Sequence, residues 1–154
     1  MVHFEVPITW YTLKRPATTK ESGESFLNGN RIAVSKTTDI RNALVAFGFS
    51  ARMDRIQRYY DEWKWLFKGC RKGVGWTTPA LTICNVARGR IDAFIDFGAS
   101  SVGHAAAGLI LKNAGGVIRS YNSDGYDHRV EGVIGCTAGL GNEILKLNRS
   151  RDKC

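Results

Sequence analysis

Several residues in this chain could do chemistry. Asp92 and Asp96 stand four apart in the apolar run Ile91-Asp92-Ala93-Phe94-Ile95-Asp96-Phe97. On a strand that spacing puts both carboxylates on one face, about 13 Å apart at about 3.3 Å of rise per residue. A single metal ion cannot span that gap, so the two acids are not a carboxylate pair. An acid at a strand end can instead accept hydrogen bonds from a polyol hydroxyl, although pattern alone favours an exposed charge on a strand face. Residues 120–131 match part of a calcium loop, with Asn122, Asp124, Gly125 and Glu131 at positions 3, 5, 6 and 12. Its first position is Ser120 rather than Asp and the entering element reads as a strand, so a β-turn at Asp124-Gly125 is the better account. Asp124, Asp127 and His128 could gather round a metal, but polar groups at a hairpin tip are usually solvated. His104 opens an apolar helix, where a structural role outranks ligation.

A second kind of chemistry is electrostatic. The stretch 52–72, which opens on Arg52 and closes on Lys72, holds seven basic residues and the aromatics Tyr59, Tyr60, Trp63, Trp65 and Phe67. Cations on phosphates and rings on bases would make it a polyanion-binding surface. Asp54, Asp61 and Glu62 interrupt it, and an amphipathic helix with aromatics in the core and cations in solvent is favoured. The whole chain carries a net charge of +8. Residues 1–77 hold 13 basic and 7 acidic groups and residues 78–154 hold 9 and 7, so the excess lies mainly in the first half. That balance favours an anionic partner without choosing among nucleic acid, an anionic surface and a phosphorylated substrate.

The elements that must position these residues follow from periodicity and punctuation. Residues 3–20 have strand-type residues broken by Pro7 and Pro16, which predicts an edge strand or an irregular arm. A short strand over 31–35 follows the turn Asn28-Gly29-Asn30, and 43–49 reads as another. Met53, Ile56, Tyr60, Trp63 and Phe67 recur at three- and four-residue steps, predicting a helix over 52–68 with these residues inward. Thr78-Pro79 is a helix start, a Thr cap with Pro at the first position, and Gly89 a natural stop. Strands are expected over 91–97, 117–121 and 130–136. A helix over 104–114, apolar on nearly every side, should lie between layers, and an amphipathic one closes the chain over 140–148. Alternating helix and strand after residue 77 indicates a layered α/β domain.

With 154 residues and 44% hydrophobic content the chain can build a core, which excludes a disordered class. Its most apolar stretch, 105–111, is far short of the roughly 20 residues of a membrane span. No charged start leads into an apolar block, so a cytoplasmic address is expected. Cys70, Cys84, Cys136 and Cys154 form no Cys-x-x-Cys pair, and Cys84 and Cys136 lie in apolar runs as small core residues, which suits a reducing compartment.

Three motifs carry a resemblance. Val86-Ala87-Arg88-Gly89-Arg90-Ile91-Asp92-Ala93-Phe94 is followed by Ala105-Ala106-Ala107-Gly108-Leu109-Ile110-Leu111-Lys112-Asn113-Ala114-Gly115-Gly116, and Ser25-Phe26-Leu27-Asn28-Gly29-Asn30-Arg31-Ile32-Ala33-Val34-Ser35 lies upstream. In this order they closely resemble the inositol monophosphatase family of magnesium-dependent sugar-phosphate phosphatases, some of which also hydrolyse fructose 1,6-bisphosphate. The likeness runs from about residue 21 to 149. It implies an αβαβα layered fold of which this chain is the C-terminal αβα part, with 1–50 as remnant strands of the first antiparallel sheet and 51–154 as the C-terminal α/β domain.

The family activates water with two or three Mg²⁺ ions, which neutralise charge on the phosphoryl oxygens and the leaving alkoxide. It holds them with an acidic helix end, an Asp-Pro-x-Asp-Gly-Thr/Ser motif, and an Asp just before the buried Ala-rich helix. The first two are absent from this sequence. Gapless alignment from Asp96 to Gly116 puts the last metal-binding Asp at Gly103, preceded by Val102. On the substrate side, Asp96 matches the acid that binds a substrate hydroxyl, and Thr77-Thr78-Pro79-Ala80 matches a Gly-Ser/Thr-Ala-Ala turn at the sugar ring. Thr78 keeps the hydroxyl, while Pro79 crowds the approach and removes a backbone donor. The resemblance therefore leads to an expectation of no catalytic and no metal residue, with Asp96, Thr78 and Pro79 as substrate-binding positions. A truncated or degenerate phosphatase, inactive alone, is expected first. Half of a split enzyme completed by a second chain, or a homodimer, comes next, and a non-catalytic polyanion module last.

Overall fold

Asn28 and Gly29 both take positive φ, 57° and 77°, the geometry of a two-residue hairpin turn of the primed type. They join β3 (Ser25–Leu27) to β4 (Asn30–Ile32) in a computed structural model that describes residues 4–6, 17–19, 23–48, 56–61, 64, 69–76, 78–121, 123 and 125–150. With β1 (Phe4–Val6) and β2 (Ala17–Thr19) they form an antiparallel sheet in the order β1-β2-β3-β4. The range 3–20, expected as an edge strand or an irregular arm, thus supplies two strands, β1 at the edge and β2 beside it, while Pro7, Trp10, Tyr11 and Pro16 lie outside the described residues.

The chain leaves this sheet at Ile32, not Ser35, and runs extended to a 3-10 turn at Ile40–Asn42. It then enters a five-stranded mixed sheet in the order β6-β5-β7-β9-β8, made of β5 (Leu44–Gly48), β6 (Lys72–Trp76), β7 (Ala93–Asp96), β8 (Gly116–Ser120) and β9 (Val133–Thr137). Strand β5 lies parallel to β6 and β7, whereas β9 is antiparallel to β7 and β8. The change of sheet thus falls between Ile32 and Leu44, inside the segment 1–50.

Period-two alternation assigns the faces of the second sheet. Ala46, Phe94 and Val133 pack with Ile83, Val86, Ile110 and Leu111 of α1 (Pro79–Ala87) and α2 (Ser101–Asn113). Val45, Phe47, Ala93, Ile95, Ile134 and Cys136 pack with Tyr59, Leu140 and Ile144 on the other face, under a helical segment at 56–61 and α3 (Gly141–Ser150). Helix α2 also meets the first sheet, where the buried Ser25 hydroxyl donates to the Ile110 carbonyl at 2.8 Å. The layers are therefore sheet, helices, sheet, helices, as the αβα part of the expected fold with antiparallel strands before it.

Two expectations need correction, and one strand was missed. Ile56 and Tyr60 are exposed and Tyr59 is buried, so the helix at 56–61 is phased one residue away from the predicted face. The reason is tertiary: Tyr59 packs on Phe97 with ring centroids 4.0 Å apart, and the Arg58 guanidinium lies 4.7 Å from the same ring. Met53, Trp63, Trp65 and Phe67 lie outside the described residues. Helix α2 starts at Ser101 instead of His104, and one of its faces is open, with Val102 92% exposed and Leu109 partly so. Finally, β6 went unread because Lys72-Gly73-Val74-Gly75-Trp76 has two glycines and little alternation, as an edge strand can. No described helix is long and apolar enough to cross a membrane.

Candidate functional site

Asp92 and Asp96 are not exposed strand-face charges. They are 8% and 6% exposed, and each carboxylate has its own work. Asp92 accepts the Leu44 N–H at 2.7 Å through Oδ2 and the Ser35 hydroxyl through Oδ1 in a short hydrogen bond. It thereby fastens the extended segment 33–39 to the sheet, which gives it a structural role. Asp96, at the end of β7, accepts the Gly98 N–H at 2.8 Å. Its carboxyl fills the space beside Gly48, where a Cβ would collide with Cγ and Oδ2. A glycine inside the apolar strand β5 was the sequence signal for so close an approach.

Thr78 is the N-cap of α1 and Pro79 its first residue, as expected, but the Thr78 side chain makes no capping bond. Thr78 acts through its carbonyl, which accepts the Thr82 hydroxyl at 2.8 Å and the Thr82 N–H at 3.0 Å. Ser100 caps α2 in the same fashion, without a side-chain bond. The two helix starts touch: a Cβ on Gly103 would meet Pro79 Cγ at 3.4 Å and Ser100 Oγ at 3.9 Å. Pro79 and Gly103 are thus neighbours, and Asp96 leads into α2 from the strand before it. Thr77 lies outside the described residues. Helix N-termini without side-chain caps leave N–H groups directed at an anion, the chemistry such a surface offers without any metal.

This donor set does not fit Mg²⁺, which demands near-octahedral oxygen ligation that includes carboxylates. Gly103 supplies no side chain, Pro79 no donor atom, and one Asp96 oxygen is engaged by Gly98. No group of three His, Cys, Asp or Glu able to hold a metal occurs among the described residues. At the 120–131 loop, Asn122 and Asp124 are outside the described residues. Ser120 Oγ there accepts the Asp127 N–H at 2.9 Å, and Asp127 forms a two-pronged ion pair with Arg129 at 2.9 and 2.8 Å. That hydrogen-bonded guanidinium holds the Asp127 carboxyl well below the usual carboxylate range. His104 is 1% exposed, with Nδ1 2.9 Å from the Tyr126 hydroxyl and Nε2 buried without a hydrogen-bond partner among the described residues. Burial lowers its pKa from the ordinary value of 6.5.

The profile of the inositol monophosphatase family matches residues 7–152. The chain belongs to that family. It is 32% identical over 129 residues to inositol monophosphatase 1 of Sus scrofa, which covers 79% of this chain and 46% of the relative. It is 25% identical over 144 residues to the Nus factor SuhB of Pasteurella multocida, covering 92% and 54%. Among solved structures, the inositol monophosphatase of Anabaena superposes with a TM-score of 0.80 at 20% identity, over 91% of this chain and 55% of that one. The SuhB protein of Bartonella henselae gives 0.79 at 23% identity, over 91% and 53%. The chain spans about half the length of the relatives it matches. The family is generally Mg²⁺-dependent and acts on phosphorylated sugars or polyols, and the architecture here is that of its members.

Proposed function

We propose that this inositol-monophosphatase-type chain is a degenerate member that binds a sugar or polyol phosphate and does not hydrolyse it alone. The observation that carries the reading is the pairing of Gly103 with Pro79 at the meeting of two helix starts. Hydrolysis needs positive charge fixed where the phosphoryl oxygens and the leaving alkoxide develop negative charge. The family places a metal-binding Asp at position 103, and glycine there leaves that charge unsupported. In this reading Asp96 accepts a substrate hydroxyl, the Thr78 hydroxyl faces the sugar, and Pro79 narrows the approach. Residues 1–50 then belong to the enzyme's first layer and its junction with the second, 51–154 to the C-terminal domain, and a cytoplasmic location goes with it.

The test is an assay of the purified chain with inositol monophosphate and fructose 1,6-bisphosphate over a range of Mg²⁺, beside calorimetry with the same esters. Phosphate release at background with measurable binding supports the proposal. Metal-dependent turnover overturns it.

A second reading is half of a split phosphatase, completed by a chain that carries Asp-Pro-x-Asp-Gly. Val102, 92% exposed near the start of α2, favours it, with Leu109 on the same face. Co-purification with such a chain would support this version, and a stable lone monomer would count against it. The polyanion module of residues 52–72 draws less support, because Tyr59 is buried and Arg58 is engaged on Phe97.

A further inference from the structure

An apolar cleft lies between the edge strand β6 and the far end of α1. It has a volume of about 310 Å³ and is lined by Leu44, Val74, Trp76, Ile91, Asn85 and Arg90. None of the residues assigned to the phosphatase site contributes to it. The floor is aliphatic, the Trp76 indole stands at the edge 39% exposed, and Arg90 is exposed at the mouth. A cavity of this size with an apolar lining and few polar groups has the make-up of a small-molecule site.

Charge selects the ligand class. Arg90 and Arg88 have no carboxylate partner among the described residues, and Arg88 Nε is buried with no acceptor. The two cations oppose one another: burial first, and then the charge of Arg90, makes Arg88 harder to protonate than a free guanidinium. An anion at the mouth would relieve that repulsion and give Arg90 a charge-assisted hydrogen bond. A flat ring behind the anion would meet Trp76 and the aliphatic floor. We propose that this cleft binds a small aromatic anion, a carboxylate or sulfonate on one or two rings, with Arg90 holding the acid and Trp76 the ring.

The probe is 1-anilinonaphthalene-8-sulfonate, titrated by fluorescence against the native chain, beside N-phenyl-1-naphthylamine, which has the same rings without the acid. The expected result is one saturable site per chain, at least tenfold weaker for the neutral probe. Arg90→Gln should weaken sulfonate binding at least fivefold, and Arg90→Glu should abolish it. Both should keep a cooperative unfolding transition, since the side chain is exposed. Val74→Trp, which fills the cleft, should remove the site for both probes. Equal affinity for the two probes, or Arg90 variants that bind as the parent does, would overturn the proposal in favour of a general apolar surface. Sedimentation velocity supplies the remaining outcome. A dimer whose formation expels the probe would make the cleft an interface between two copies and would equally overturn it.

Discussion

The carboxyl group of Asp96 occupies the space in which residue 48 would otherwise carry a side chain. Strands β5 and β7 are parallel neighbours, paired up to Phe47 and Ile95, so Gly48 comes level with Asp96 at the end of the ladder. The acid proposed to bind substrate is thus seated by a glycine on the adjoining strand. Gly48→Ala should destabilise the chain by about 1–3 kcal/mol, the usual cost of overpacking. Chemical denaturation measures it, and Asp96→Gly in the same background should recover much of the loss. Equal losses in the two backgrounds would mean that the contact is not what makes alanine costly.

Asp92 should behave oppositely to Asp96 in a binding assay. Asp92→Ala leaves the Leu44 N–H and the Ser35 hydroxyl without their acceptor, at about 1–3 kcal/mol for a buried unsatisfied donor. Sugar-phosphate affinity at a temperature where both variants are folded should stay within twofold of the parent. Asp96→Ala should lose affinity with a smaller change in stability. Calorimetry beside urea denaturation separates the two effects.

Gly103→Asp is expected to fold and still not turn over. A Cβ there meets Pro79 at 3.4 Å, an ordinary contact, so the substitution is accommodated. One restored carboxylate cannot by itself hold Mg²⁺ in the geometry it requires. The checks are an unchanged thermal midpoint and phosphate release at background with Mg²⁺. Metal-dependent release by this variant would show that the remaining ligands are present after all.

Stability should fall as pH drops from 7.5 to 5.5, with His104 as a contributor. Its folded pKa is lowered by burial, so in the window below the ordinary value the unfolded chain binds more protons than the folded one. The contribution is fully present above about 6.5 and fades as pH falls through that value. Denaturation midpoints of the parent and of His104→Gln at several pH values test this. The variant should show the shallower dependence, whatever its absolute stability.

Burial pushes the Cys84 and Cys136 thiols up to about 12. At pH 8 about one thiol in ten thousand is then ionised, too few to alkylate at a useful rate. Iodoacetamide labelling of the native chain followed by peptide mapping should leave both unmodified. Labelling in denaturant should reach them.

What the sequence made legible follows the range of the interactions involved. Helix α1 could be read from Thr78-Pro79 and Gly89, because a fixed φ and a positive φ of 72° at Gly89 are local demands. The turn at Asn28-Gly29 was legible for the same reason, but strand 25–27, which makes it a hairpin, was not read. The place of Tyr59 was not, because its partner Phe97 comes from a strand end 38 residues later. Nor was the burial of Asp92, whose partners Leu44 and Ser35 are 48 and 57 residues distant. At the candidate site the residue types were readable, but the contact of Pro79 with Gly103 depends on two helices meeting end to end.

The extended segment 33–39 and the turn after it are fastened entirely from downstream. Val34 N–H bonds the Ala114 carbonyl at 3.1 Å, the Thr37 carbonyl accepts the Thr137 hydroxyl at 2.7 Å, and the Ile40 N–H is held by Glu143 at 2.9 Å. On the ribosome, this junction between the two sheets has only the carboxylate of Asp92 to hold it until residues 114–143 have emerged. The hairpin β3-β4 can close early, but its attachment to the rest waits for α2. A nascent chain stalled short of Ile110 should therefore carry a first sheet with no helix to pack on, a state open to proteases or to another chain.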